Sequence, residues 1–321
     1  MIRSDTNARR HPGIFSLLLL ALLLTGCAAP QTRQLLSSSK PLPSSLELTA
    51  VPFFPQEKYQ CGPAALATVL NAAGVSVTPD ELTPQVYLPK RKGSLQFELL
   101  AAARRHGRVP YVLKPQLEAM MNEVAAGNPV LVLQNLGLDA VPVWHYAVVV
   151  GFDLDQADIV LRSGIEERHI TSLQTFELTW ARGNHWAVVA MPPDRLPQTA
   201  EEQPYLEAVV TLEKLQRWQE AATAYTTALK RWPQSLGAQM GIGNSRYALN
   251  DLPGAEEAFR AATHKYPQAA VAFNNLAQVL AEQQRWREAE EAAQQAVAMG
   301  GGNVELFRQT LEEIQRHTQS P

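Results

Sequence analysis

The apolar positions of the 321-residue chain fall into four successive patterns. A largely apolar run of 11 residues, Ile14 to Leu24, follows Arg3, Arg9 and Arg10. It matches the core of a signal peptide and falls well short of the roughly 20 residues that a spanning helix needs. Residues 28 to 46 are rich in Ser, Pro and Gln with little periodicity, which predicts a flexible tether. From about Glu47 to Met191 the pattern becomes that of a globular domain. A helix is expected after Cys61, and a second over Ser94 to His106, with an apolar stripe (Leu95, Phe97, Leu99, Leu100) that stops at Gly107. Runs of strand length follow at 109–113, 130–134, 145–152, 159–162 and 185–191, with a helix over 115–126 between the first two. Helices first and strands mostly after them, joined by turns of hairpin length such as 153–158, predict an α+β fold with an antiparallel sheet. The fourth pattern is a repeat. Ala221, Tyr225, Ala228 and Pro233 recur 34 residues on as Ala255, Phe259, Ala262 and Pro267, and again as Ala289, Ala293, Ala296 and Gly301. Each such unit buries its apolar face only against a neighbour, and the amphipathic segment after Asn303 reads as the cap that ends the stack.

Candidate chemistry concentrates in two short stretches of the α+β region. In Gln56-Glu57-Lys58-Tyr59-Gln60-Cys61-Gly62-Pro63-Ala64-Ala65-Leu66, Pro63 belongs to the first turn of a helix, where its missing N–H costs nothing. Cys61 therefore sits at a helix N-terminus, where unpaired N–H groups and aligned peptide dipoles favour a thiolate, so a depressed thiol pKa is expected. The chain's other cysteine, Cys27, follows the signal-like segment, which leaves Cys61 without a disulfide partner. The second stretch, Trp144 to Asp153, is a strongly apolar strand opened by His145, the candidate general base for the thiol.

The two stretches together resemble the bacteriocin-processing cysteine peptidase family, which cleaves double-glycine leaders and has a papain-like fold. That resemblance covers about 145 residues. It implies Cys61 as nucleophile, His145 as base and Gln56 as an oxyanion donor beside the Cys61 N–H, with no cofactor or metal. Gln56 lies five residues before Cys61, where the family glutamine usually lies six before, and Gln60 is the fallback. The strand that carries the family's orienting acid reads Ile159-Val160-Leu161-Arg162-Ser163-Gly164, with no carboxylate. Ser163, Glu166 and Asp153 are the candidates to orient the imidazole. Leu24-Thr25-Gly26-Cys27 is similar to the lipobox of bacterial lipoproteins, which implies cleavage before Cys27 and its acylation. Ala28 then implies the outer membrane, with the protein facing the periplasm. The 34-residue period resembles the tetratricopeptide repeat, whose first helices line a concave groove. Here they offer Asn244, Asn274 and Gln278 to an extended peptide.

Removing residues 1–26 takes away three Arg and one Asp, which moves the formal net charge from −3 to −5 and argues against a nucleic-acid partner. The expected organisation is a lipoprotein signal peptide (1–26), a flexible tether (27–46), a papain-like cysteine peptidase domain (47–191) and a linker (192–203). Three tetratricopeptide repeats (204–302) and a capping helix with its tail (303–321) complete it. The expected function is peptide-bond hydrolysis by a lipid-anchored enzyme of the cell envelope, with repeats that hold a protein partner or substrate. An inactive peptide-binding or assembly factor and an acyl transferase are the alternatives.

Overall fold

The computed structural model describes residues 29–38, 42–56 and 60–318. The expected signal peptide and Cys27 lie outside the described residues. In chain order the elements begin with α1 (Pro30–Ser37), β1 (Ser45–Glu47), α2 (Cys61–Ala72) and α3 (Pro79–Val86). A small hairpin, β2 (Tyr87–Leu88) and β3 (Gly93–Ser94), leads into α4 (Gln96–Arg105), β4 (Val109–Val112), α5 (Leu117–Ala125) and β5 (Val130–Asn135). Then come β6 (Trp144–Asp153), β7 (Asp158–Ser163), β8 (Glu166–Ser172), α6 (Leu173–Ala181) and β9 (Ala187–Met191). The rest is helical: α7 (Glu202–Glu213), α8 (Trp218–Arg231), α9 (Leu236–Ala248), α10 (Leu252–Lys265), α11 (Ala270–Glu282), α12 (Trp286–Met299) and α13 (Val304–Thr318).

The α+β class expected from the pattern is the observed one. Seven strands form one antiparallel sheet in the order β4-β9-β5-β6-β7-β8, and β1 joins β6 beyond the end of β5. Its central strands are buried on both faces, which explains why they read as continuous apolar runs. Alternate residues still divide between two layers. Leu131, Leu133, Tyr146, Val148 and Val150 face α2, α3 and α4, while Val132, Ala147 and Val149 face α5 and α6. The helix α2 is apolar on every side and is buried from Gly62 to Leu70.

Several local elements escaped the periodicity because they are short and polar. Thr78 and Glu81 form a reciprocal capping box that starts α3, and the Ser172 side chain accepts from the Thr175 N–H to start α6. Ser94, the expected first residue of the second helix, lies instead in β3, and α4 begins after Leu95 with no side-chain cap.

The tether reading of residues 27–46 is corrected over the part described. Gln31 and Thr32 at the start of α1 donate to the carboxylate of Glu177, 3% exposed, and Leu35 is buried in the core beside it. The N–H groups at a helix start need acceptors, and a buried carboxylate supplies them. A second buried carboxylate, Glu123, holds the expected linker. It is fully buried, accepts from the N–H groups of Gln198 and Thr199, the Thr199 hydroxyl and the Asn128 amide, and so pins 198–199 to α5. Arg231 in α8 donates to the Pro197 and Gln198 carbonyls, and the Glu201 N–H donates to the Tyr111 hydroxyl. The core therefore runs on from Val109, Tyr111 and Met191 into Tyr205, Val209, Leu212 and Tyr225 of the helical region.

The helical region pairs α7 with α8, α9 with α10 and α11 with α12, and ends on α13. Close approach rests on glycine as well as alanine: a Cβ on Gly241 would lie 2.4 Å from the Tyr225 ring, and one on Gly243 2.4 Å from the Phe259 ring.

Glu123→Ala would leave the two connector N–H groups without an acceptor, at a cost of about 3 kcal/mol. The variant is expected to unfold at lower temperature and to be cut by trypsin after the exposed Arg195 under conditions in which the parent is resistant. Equal resistance of the two would show that the connector is held by other contacts.

Candidate active site

The site is assembled where the first turn of α2 meets the start of β6. The Gln60 carbonyl accepts the first helical bond, from the Ala64 N–H, so the N–H groups of Cys61 and Gly62 are left at the open end of α2. That end is packed closely. A Cβ on Gly62 would sit 2.3 Å from the Ser94 hydroxyl oxygen, so only glycine fits there. Cys61 is a free thiol, and the N–H of Tyr146, the residue after His145, faces its sulfur. Cys61 and His145 line one cleft of about 860 Å³. The helical layer contributes Arg91 to Gln96 to its lining, and the sheet layer contributes Pro142 to Tyr146, Gly164, Gly183 and Asn184.

His145 Nε2 lies 2.8 Å from the Ser163 hydroxyl. Of the three candidates to orient the imidazole, Ser163 is the one the structure brings to it. Asp153 is at the other end of β6, eight residues or about 26 Å away, and accepts instead from the Gln156 N–H. Glu166 pairs with His169 at 3.0 Å. Gln56 is held by its N–H to the Gly164 carbonyl at 3.0 Å and lines the cleft with Cys61.

The electrostatics depart from the sequence expectation. Burial pushes the Cys61 thiol above its ordinary 9.0, and the N–H groups of Tyr146, Gly62 and Cys61 itself pull it only part of the way back. The same burial that exposes the sulfur to oriented N–H groups removes the water a thiolate needs, and here desolvation wins. Burial also holds the His145 imidazole at about 4, helped by the charge of His169. At neutral pH both groups are uncharged. The expectation of a depressed thiol is overturned because, among the described residues, no cation stands beside the sulfur to offset the lost hydration.

Several contributors carried little sequence signal. The wall 136–143 is closed by Asn135, whose buried side chain accepts from the N–H groups of Gly137 and Val143. Asn followed two residues on by Gly is a turn signal that marks this loop. The wall exposes Leu136, Leu138, Val141, Val143 and Trp144, and Ile165 in the β7–β8 turn is 81% exposed. The Ser94 hydroxyl is buried without a partner among the described residues.

In the helical region, Asn244 and Gln278 lie on the exposed groove side, but Asn274 is 2% exposed. The groove position belongs to its neighbour Asn275, whose amide donates to the Asn244 side-chain oxygen at 3.1 Å. One residue is 100° of helix, enough to move a side chain from groove to core.

Residues 48–187 match the Peptidase_C39 like family, and residues 206–270 and 240–304 match the tetratricopeptide repeat. No curated protein matches the chain. Among solved structures, the chain is similar to a C39-like peptidase from Bacillus anthracis, at 19% identity over 46% of this chain and 97% of that one, with a TM-score of 0.40. It is also similar to the peptidase domain of Streptococcus ComA, a bi-functional ABC transporter involved in a quorum sensing pathway, at 20% identity over 44% and 98%, TM-score 0.37. The helical region is similar to the TPR2B domain of yeast Sti1 in its pHsp70 complex, at 18% identity over 34% and 90%, TM-score 0.33. The chain thus joins a peptidase C39-like domain to a tetratricopeptide repeat domain.

Proposed function

We propose that the protein is a lipid-anchored cysteine peptidase of the bacterial cell envelope that works through an uncharged Cys61/His145 pair. The observation that carries this reading is the shared cleft, with Cys61 at the buried start of α2 and His145 held by Ser163. With Nε2 occupied by Ser163, Nδ1 is the ring nitrogen left to act on the thiol. The imidazole takes the proton as the sulfur attacks the peptide carbonyl, so thiolate and imidazolium form together in the transition state. The resulting oxyanion is held by the Cys61 N–H and the Gln56 side-chain amide. The imidazolium returns its proton to the leaving amine as the C–N bond breaks and a thioester remains. Water deprotonated by His145 then adds to the thioester carbonyl, and the acid and the thiol are released.

The raised thiol and the neutral Ser163 partner favour a second reading, a peptide-binding factor of weak or no activity. In a Ser-His-Asp enzyme, a neutral group in place of the acid costs about 10⁴ in rate. The lipid anchor rests on the Leu24-to-Cys27 sequence, and the outer membrane on Ala28. Mass spectrometry of the protein from cells should find a mature chain that starts at an acylated Cys27, with Cys27→Ser released from the membrane fraction. A mature chain that starts elsewhere overturns the anchor.

The electrostatics set two further expectations. Iodoacetamide needs a preformed thiolate, so at pH 7 it should alkylate Cys61 more slowly than glutathione, with a rate that keeps rising past pH 9. A plateau reached below pH 7 would restore the ion-pair picture. Acylation of Cys61 by a peptidyl nitrophenyl ester, in contrast, should proceed at neutral pH and rise on an acid limb near pH 4, where His145 loses its proton. Ser163→Asp places a carboxylate on the imidazolium, and so should move that limb upward by more than one pH unit and speed acylation about tenfold or more. Ser163→Ala should slow acylation. If neither substitution changes rate or limb, Ser163 does not orient the base and the binding reading takes over.

A further inference from the structure

The concave side of the repeats has a charge pattern that the peptide-backbone reading of its amides does not use. From residue 201 onward the chain has 15 Asp and Glu against 11 Lys and Arg. Around the groove several acids pair with arginines, Arg246 with Glu257, Arg260 and Arg285 with Glu256 and Glu288, and Arg308 with Glu305, while others such as Glu213 and Glu290 accept from neutral groups. A pocket of about 500 Å³ opens where α9, α11 and α13 converge, and neither Lys nor Arg lines it. Glu282 and Glu313 face this pocket, and neither carboxylate has a cationic partner among the described residues. The Tyr247 hydroxyl donates to Glu282 at 3.0 Å, which fixes one carboxylate at the rim. Trp286 stacks on His317 with ring centroids 4.4 Å apart and supplies an aromatic wall.

We infer that this pocket receives an arginine or lysine side chain of a partner segment lying in the groove. Two exposed carboxylates attract a cation, and the Tyr247 and Trp286 rings cover its apolar stem and add cation–π attraction. A smaller neighbouring cleft lined by Asn244, Asn275 and Gln278 adjoins Tyr247 between α9 and α11, so amides that pair with a peptide backbone adjoin the cation site. An acidic partner segment would meet like charge in this pocket and is selected against. The inference rests on the reading of the repeats as a partner-binding array and is independent of the chemistry at Cys61.

The test uses the full-length protein with ¹⁵N-labelled tryptophan. The Trp286 indole N–H resonance is assigned by its loss in Trp286→Phe, and the probe is N-acetyl-arginine amide, compared with its uncharged isostere N-acetyl-citrulline amide. Two exposed ion pairs contribute modestly, so the arginine derivative should shift the Trp286 resonance saturably and bind about tenfold tighter than the citrulline derivative. Glu282→Gln combined with Glu313→Gln should reduce the arginine affinity to that of citrulline without loss of helical circular dichroism. Equal affinity for the two probes overturns the cation site while leaving an uncharged peptide groove in place. The absence of any saturable shift at Trp286 overturns it outright.

Discussion

Burial of the first turn of α2 against the start of β6 is the constraint on which the C39-like domain depends. The turn can enter the core because Cys61, Gly62 and the alanines after Pro63 are small, and because Gly62 leaves room for the Ser94 hydroxyl. That contact places the sulfur against the Tyr146 N–H, and the register of β6 then sets His145 in the same cleft. The pairing of β6 with β7, which shifts by one residue between Val149 and Gly151, carries Ser163 to the imidazole. Position and charge state have one origin. The dry environment that orders the three side chains also disfavours thiolate and imidazolium alike, and a proton-neutral pair is the consequence.

The same kind of device holds two segments onto the C39-like domain, a buried carboxylate that gathers backbone N–H groups. Glu177 captures the start of α1 and Glu123 captures the connector to the repeats. Neither carboxylate has a salt-bridge partner among the described residues, and each is compensated by several hydrogen bonds, the condition under which a buried charge is tolerated. With Tyr111 and Tyr205 in contact across the boundary, at 6.5 Å between ring centroids, the repeats are packed on the sheet through a shared core. The first repeat therefore has a set orientation relative to the sheet, without the freedom that an unpacked connector would allow.

What was legible in the sequence was whatever is written in consecutive residues. The 34-residue period placed the repeats, and the apolar runs placed β5 and β6, because helix and strand periods act on near neighbours in the chain. The Cys61 and His145 motifs carried the resemblance to the peptidase family for the same reason. Features that depend on distant residues had to wait for the tertiary structure. The buried roles of Glu123 and Glu177 could not be told from those of ordinary helix-surface glutamates, since their partners lie 75 and 145 residues away. Asn274 and Asn275 are adjacent and chemically identical, and only the packing of α11 decides which is core and which is groove. The sign of the Cys61 shift belongs to the same class. The helix N-terminus that favours a thiolate is encoded locally, but the desolvation that overrides it comes from α2 being covered by β5 and β6, which begin only at Val130 and Trp144, and only the fold brings that cover into place.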